Sequence, residues 1–119
     1  MLNLAATDMI AHTGNLEAGI VCCEGIDQYL AKIVKAYLKA KGTVIVTSDH
    51  GNIEEMINME TGEIDTEHSS YPVPFIIVSD SLKNKKLISK GKLADIAPTI
   101  LDILNINKPR EMTGGSLLK

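Results

Sequence analysis

The sequence is poor in aromatic side chains, which make up 3% of its 119 residues, and it contains no tryptophan. Proteins that bind single-stranded nucleic acid stack bases on such side chains, so this composition disfavours that class. The net charge of −3 gives no broad attraction to nucleic acid or to an anionic membrane surface. We therefore expect neither nucleic acid nor a membrane among the partners of this chain.

Cysteine is also scarce, and the only two cysteines, Cys22 and Cys23, are adjacent. Adjacent cysteines match neither a disulfide framework nor the Cys-x-x-Cys spacing of zinc and redox sites. A reduced pair is typical of the cytosol, where disulfides are rare. No apolar run approaches the ~20 residues of a membrane span, and the N-terminal residues lack the basic and apolar segments of a signal peptide. These features predict a cytoplasmic protein.

The order of apolar patterns predicts an α/β fold. Residues 2–7, 43–47 and 74–79 form short apolar runs that are typical of buried strands, the last two covered on both faces. Residues 16–41 and 95–104 instead repeat apolar side chains at helical spacing. Alternating strands and helices indicate a parallel sheet with helices on its faces. The length suits one domain spanning residues 1–119.

Local signals place the ends of the long helix. Asn15 is the predicted N-cap, and Gly42 is the predicted residue just beyond the C-terminus. A shorter helix is predicted over residues 52–57, and a lysine-rich surface connection over residues 81–92. Asp95 is the predicted cap of the last helix.

Five acidic or imidazole side chains lie near the ends of the predicted strands, where ligands bind in parallel sheets. They are Asp8, His12, Asp49, His50 and His68. The absence of thiolates disfavours a structural zinc site and favours Mn²⁺, Mg²⁺ or catalytic Zn²⁺. Five ligands exceed the three of a catalytic zinc site, so they predict most of a two-metal site for phosphoryl transfer.

Each of these residues also has a structural interpretation. Asp8 and Asp49 could cap the helices that follow them. His12 and His68 could be capping or core histidines. Spacing alone leaves the metal site and the structural interpretation equally open.

Four motifs resemble the C-terminal part of the 2,3-bisphosphoglycerate-independent phosphoglycerate mutases, which belong to the alkaline phosphatase superfamily. The motifs are DMIAHTGN, TSDHGN, EHSSYPVPF, and LADIAPTILDIL followed by MTGGSL. They occur in the family's order and cover nearly the whole chain, with Ala11 and Tyr71 departing from the usual glycine and asparagine. The resemblance implies an alkaline phosphatase-like parallel-sheet sandwich, of which residues 1–119 form the C-terminal half of the phosphatase domain. It also implies interconversion of 3-phosphoglycerate and 2-phosphoglycerate in glycolysis.

The resemblance further implies two Mn²⁺ ions with separate ligands. Asp8, His12 and His68 match the ligands of one ion. Asp49 and His50 match ligands of the other. We therefore expect a manganese-dependent isomerase site to which this chain contributes most, but not all, of the ligands.

The family's nucleophilic serine, which becomes a phosphoserine, lies upstream of the matching segment together with another aspartate ligand. None of the serines near these motifs matches it; they are Ser48, Ser69, Ser70 and Ser116. The arginine-rich substrate-binding domain also lies elsewhere in the family, which accounts for the single arginine, Arg110. The chain is therefore expected to be a fragment that is inactive in isolation.

Two other interpretations remain open. The first is another enzyme of the same superfamily, such as a phosphopentomutase or a phosphodiesterase. The second is a fragment without enzymatic activity that binds metal or associates with itself through uncovered sheet edges.

Overall fold

The computed structural model describes all residues 1–119 and divides into two compact units, Met1–Asp80 and Ser81–Lys119. The first unit contains helices α1 and α2, strands β1 and β2, and one turn of 3-10 helix. Their bounds are Ala6–Ala11 for α1, Leu16–Lys39 for α2, Val44–Thr47 for β1, Ile53–Glu55 for the 3-10 turn and Phe75–Val78 for β2. The second unit contains a 3-10 turn at Leu93–Asp95 that leads into α3, Ile96–Ile103. The predicted α/β class is confirmed.

The strand predicted at residues 2–7 is wrong, because Ala6–Ala11 is helical and the residues before Ala5 have no regular structure. Alanine is the strongest helix former, and Asp8 in the first turn suits the positive end of the helix dipole. A short apolar run does not by itself distinguish a strand from a helix. The correction matters for the site, since Asp8 lies within a helix rather than after a strand.

Strands β1 and β2 pair in antiparallel fashion, with Val44 opposite Val78 and Thr47 opposite Phe75. The predicted parallel pairing is wrong for these two strands. A parallel pair needs a crossover, usually a helix, whereas residues 48–74 contain only one short 3-10 helix and isolated bridges. The strands are only partly buried within this chain, and Ile76 is 49% exposed. The two strands were expected to be covered on both faces, but the residues of this chain do not cover them fully.

Helix α2 begins as predicted, with Asn15 Oδ1 accepting a hydrogen bond from the Ala18 N–H at 3.0 Å. At its C-terminus the left-handed residue is Lys41, with φ 57°, and not Gly42. The Lys41 N–H donates to the carbonyl of Leu38 at 2.9 Å, and the Gly42 N–H donates to that of Tyr37 at 2.8 Å. These two bonds form a Schellman motif. The predicted stop is correct to within one residue.

We expect Lys41→Gly to raise the free energy of unfolding by about 1 kcal/mol, because glycine adopts the left-handed conformation without a Cβ penalty. Lys39→Gly provides the control. It removes the same side chain but places glycine inside the helix, where it costs up to about 1 kcal/mol. Urea unfolding followed by circular dichroism measures both. Destabilisation by both variants would contradict the assigned conformation of Lys41.

In the second unit, the buried carboxylate of Asp95 holds the C-terminal tail. Its oxygens accept hydrogen bonds from the N–H groups of Lys92 and Gly115, both at 2.9 Å. These bonds lower the pKa of Asp95 below its ordinary value, and that from Gly115 has the largest influence. The buried Thr99 hydroxyl donates to the Asp95 carbonyl at 2.7 Å and accepts from the Leu117 N–H at 2.9 Å. Asp95 precedes α3 as predicted for its cap, but its side chain makes no capping bond to that helix. The carboxylate instead binds the start of the 3-10 turn and the tail.

None of the helices, including the 24-residue α2, combines the length and apolar character needed to cross a membrane.

Candidate metal centre

Helix α1 places Asp8 and His12 on the same side, as their spacing of four residues predicts. Asp8 lies in the first turn of the helix, and His12 is its C-terminal cap residue. The distance from His12 Nε2 to Asp8 Oδ1 is 3.5 Å. The two side chains are half-buried and point toward the loop that carries His68.

His68 completes a close group with these two residues. Its Nε2 lies 3.4 Å from Asp8 Oδ1 and 3.2 Å from His12 Nε2. The neighbouring residue Ser69 holds the loop in place, because its N–H donates to the Gly51 carbonyl at 2.8 Å. Three side chains that are up to 60 positions apart in the sequence are therefore brought together.

The loop after β1 supplies Asp49 and His50. The His50 ring stacks on the His68 ring with 3.7 Å between the centroids and 21° between the planes. One ligand atom from each of Asp8, His50 and His68 lies within 4.8 Å of the others. The Asp49 side chain is 87% exposed, and its Oδ2 is 3.7 Å from His50 Nε2. The structure thus gathers four of the five predicted residues and places Asp49 at the rim.

The tautomer of His12 follows from its backbone partner. Its Nδ1 lies 2.7 Å from the carbonyl oxygen of Thr66. Because a carbonyl only accepts hydrogen bonds, Nδ1 must carry the proton and donate it. The lone pair of neutral His12 is therefore on Nε2, the atom that faces Asp8 and His68. Metal-binding histidines are commonly oriented by such a bond from the other ring nitrogen.

Asn52 is part of the site, although the sequence predicts only that it begins a short helix. It is 5% exposed, and its Nδ2 donates to Asp8 Oδ1 at 2.8 Å. Its side chain makes no capping bond to the 3-10 turn that follows. The Asn52 hydrogen bond is the main cause that lowers the pKa of Asp8, and the three imidazoles lower it further against the effect of burial. Asp8 is thus held as a carboxylate.

Glu54 connects the two loops of the site. It accepts a hydrogen bond from the Asn52 N–H at 2.8 Å and a short one from the Ser69 hydroxyl. Burial raises the pKa of Glu54, but these hydrogen bonds outweigh it, so the pKa lies below its ordinary value. A Cβ at Gly51 would overlap the side chains of Glu54 and Ser69. Alanine at Gly51 would therefore displace the Glu54 carboxylate or the Ser69 hydroxyl and disturb the hydrogen bond between the two loops.

A cleft of about 370 Å³ adjoins these residues within the first unit. Its walls include two of the gathered side chains, those of Asp8 and His50, and the rim residue Asp49. The remaining wall is formed by Thr7, Ser48, Gly51, Asn52, Ile53, Glu54, Pro72, Val73 and Pro74. The cleft leaves the cluster accessible to a small molecule.

The donor set at this cleft consists of imidazole nitrogens and carboxylate oxygens. Neither cysteine belongs to the cluster, since both lie on α2. Imidazole and carboxylate ligands suit Mn²⁺ and catalytic Zn²⁺, whereas structural zinc sites are usually rich in cysteine. The residues present therefore fit a catalytic divalent cation.

Comparison with known proteins identifies the family. A family model described as the metalloenzyme superfamily matches residues 1–108. The chain belongs to this superfamily. Membership agrees with the donor cluster, since Asp8, His12, His50 and His68 all lie within the matched residues.

Curated relatives confirm the resemblance to the cofactor-independent mutases. The chain is 47% identical over 118 residues to the 2,3-bisphosphoglycerate-independent phosphoglycerate mutase of Clostridioides difficile. It is 50% identical over 119 residues to that of Clostridium botulinum. These alignments cover 99% and 100% of this chain but 23% of each relative. The chain therefore spans about a quarter of the length of the curated relatives that it matches.

A solved structure shows the same fold. A crystal structure of Leishmania mexicana phosphoglycerate mutase at low cobalt concentration superimposes with a TM-score of 0.86 at 30% identity. The match covers 98% of this chain and 24% of that one. The fold of this chain therefore matches that of one segment of the Leishmania mexicana enzyme.

Proposed function

We propose that this chain is the main metal-binding segment of a phosphoglycerate mutase that interconverts 3-phosphoglycerate and 2-phosphoglycerate in the cytoplasm. The observation that carries the proposal is the clustering of Asp8, His12, His50 and His68 in a chain about half identical to such mutases. Identity of 47–50% over almost every residue favours this activity over that of a phosphopentomutase or phosphodiesterase.

The proposed cofactor is a pair of Mn²⁺ ions. Asp8, His12 and His68 would hold one ion, and their ligand atoms lie 3.2–3.5 Å apart. Asp49 and His50 would contribute to the other, and their ligand atoms lie 3.7 Å apart. Such ions neutralise phosphoryl oxygens and activate a nucleophile. Within this chain the histidines and carboxylates would hold the cations, with Asn52 hydrogen-bonded to Asp8 and the Thr66 carbonyl hydrogen-bonded to His12.

A single ion bound by Asp8, His50 and His68 is the alternative that the ligand-atom distances also support. The two arrangements differ in stoichiometry and in the role of His12. Calorimetric titration with Mn²⁺ separates them, because a single-ion site would saturate at one equivalent and would tolerate His12→Ala.

The nucleophile and the substrate clamp are proposed to lie outside these 119 residues. Ser48 is the hydroxyl nearest to the Asp49–His50 pair, but it donates to the His50 carbonyl at 2.7 Å and so serves the loop. Arg110 is the only arginine available to pair with a phosphate or carboxylate. The phosphoglycerate substrate would therefore be bound jointly with residues absent from this chain.

The proposal is tested with a chimera in which this chain replaces the matching 118 residues of the Clostridioides difficile mutase. With Mn²⁺ added, the chimera is expected to keep activity within about tenfold of that mutase, measured as 3-phosphoglycerate turnover coupled to enolase. His68→Ala in the chimera is expected to lower turnover by about 100-fold or more, because a ligand is lost. The 119-residue chain alone is expected to be inactive.

Glu60→Gln serves as the control in the chimera, since Glu60 lies in an exposed turn of the first unit. It is expected to leave turnover unchanged. A folded chimera without mutase activity would overturn the proposed function. Turnover by the 119-residue chain alone would contradict the assignment of the nucleophile to other residues.

A further inference from the structure

Asn52 occupies a position that packing alone does not explain. Its side chain is almost fully buried, and its Oδ1 has no hydrogen-bond partner. Burying an unpaired amide oxygen costs free energy. An apolar side chain of similar size would therefore fill this space at least as well. The presence of an amide points to a use for its other end, the Nδ2 donor.

The donor is directed at the cluster of ligands. Asn52 Nδ2 lies 2.8 Å from Asp8 Oδ1 and 3.5 Å from His12 Nε2. The orientation of the amide is fixed by the first contact, because an ionised carboxylate only accepts hydrogen bonds. The opposite orientation would set two oxygens against each other at this short distance. Asn52 thus contacts the same Asp8 oxygen that faces His12 and His68.

Asn52 is itself held on both sides of its backbone. Its N–H donates to Glu54 Oε2 at 2.8 Å, and its carbonyl accepts from the Glu55 N–H at 3.0 Å. The other oxygen of Glu54 is bound by the hydroxyl of Ser69, the residue after His68. The amide that orients Asp8 is therefore tied to the loop that delivers His68.

We propose that Asn52 is a positioning residue that aims the Asp8 carboxylate at the bound cation. The inference rests on the proposed function, in that it takes Asp8 as a metal ligand. Groups that orient metal ligands through hydrogen bonds typically change metal affinity by about 10–100-fold when removed. The same range is expected here, since the Asn52 amide makes the one side-chain hydrogen bond that the structure records for Asp8.

The test is Asn52→Leu in the 119-residue chain, titrated with Mn²⁺ by calorimetry. The dissociation constant is expected to rise about tenfold or more. The midpoint of thermal unfolding without Mn²⁺ is expected to stay the same or to rise, because an unpaired buried oxygen is removed and the half-exposed Asp8 can be hydrated. If Asn52 served the fold alone, Asn52→Leu would leave the dissociation constant unchanged and lower the unfolding midpoint.

Asn58→Leu is the matched control. Asn58 Oδ1 accepts hydrogen bonds from the N–H groups of Glu60 and Thr61 and so stabilises a turn away from the cluster. This variant is expected to lower the unfolding midpoint and to leave the affinity for Mn²⁺ unchanged. Asn52→Leu should therefore weaken Mn²⁺ binding without lowering the unfolding midpoint, whereas Asn58→Leu should lower the midpoint without weakening binding.

An Asn52→Leu chain that binds Mn²⁺ as tightly as the unaltered chain would overturn the positioning role. So would a loss of affinity matched by a fall in the unfolding midpoint, which would assign Asn52 to the fold. If Asn52→Leu does not fold, Asn52→Ser is measured in the same way and is expected to show the same loss. Asp8→Asn separates the failure of the positioning role from the failure of the proposed metal site. Unchanged affinity for Mn²⁺ in that variant would overturn the metal site itself.

Discussion

Replacing Asp8 by asparagine is expected to weaken Mn²⁺ binding by about 100-fold or more. Asp8 is the only anion among the gathered side chains, and its Oδ1 lies within 3.5 Å of His12 Nε2 and His68 Nε2. Two unit charges about 4 Å apart near a protein surface interact with an energy of about 4 kcal/mol. A change in affinity of about 100-fold corresponds to about 2.8 kcal/mol. Asparagine keeps an oxygen that can accept from Asn52, so the loss isolates the effect of charge.

Asp27→Asn provides the control for net charge. Asp27 is exposed on α2, so this substitution removes the same charge at a position outside the cluster. Calorimetric titration with Mn²⁺ at constant ionic strength measures both variants. We expect Asp27→Asn to change the dissociation constant by less than about twofold, because exposed charges are screened over a Debye length. Equal effects of the two substitutions would show that binding follows overall charge and not the cluster.

Replacing Gly114 by alanine is expected to lower the free energy of unfolding of the second unit by about 2–3 kcal/mol. A Cβ at this position would overlap the carbonyl oxygen of Ala94 and lie 2.6 Å from its carbonyl carbon. Both atoms belong to the backbone of the 3-10 turn, which cannot move aside as a flexible side chain would. The tail that Asp95 holds would have to shift and lose its hydrogen bond from the Gly115 N–H.

The adjacent Gly115 offers a control of identical chemistry. A Cβ added there meets no atom within 4 Å, and alanine keeps the N–H that donates to Asp95. Gly115→Ala is expected to change the free energy of unfolding by no more than about 0.5 kcal/mol. Urea unfolding and hydrogen exchange of the α3 amides compare the two. Similar destabilisation by both variants would rule out the proposed backbone overlap.

The elements predicted well from sequence are those with long or unambiguous patterns. Helix α2 was predicted to within a few residues, because its apolar stripe extends over many turns and Asn15 caps it. Strands β1 and β2 were predicted to within one residue at each end. Residues 2–7 were predicted wrongly, because such a short apolar segment does not reveal its period. The direction of strand pairing depends on the path of the intervening chain, which local patterns do not record.

The candidate site was predicted in part for a similar reason. Aspartate and histidine are conspicuous near strand ends, so the sequence predicts all four gathered residues, together with Asp49. Asn52 and Glu54 were missed as site residues, because amides and exposed carboxylates occur throughout the sequence. Their importance lies in hydrogen bonds across loops. The ligand roles themselves stay predictions until metal binding is measured.

The bond between His12 Nδ1 and the Thr66 carbonyl has a consequence for mutational robustness. The acceptor belongs to the main chain, so every amino acid at position 66 supplies it and no side-chain replacement there deletes it. A scan of single substitutions would therefore score position 66 as tolerant, although its carbonyl oxygen keeps the proton of the His12 ring on Nδ1. Replacing the amide that follows Thr66 by an ester would weaken that oxygen as an acceptor and reveal a dependence that genetics does not detect.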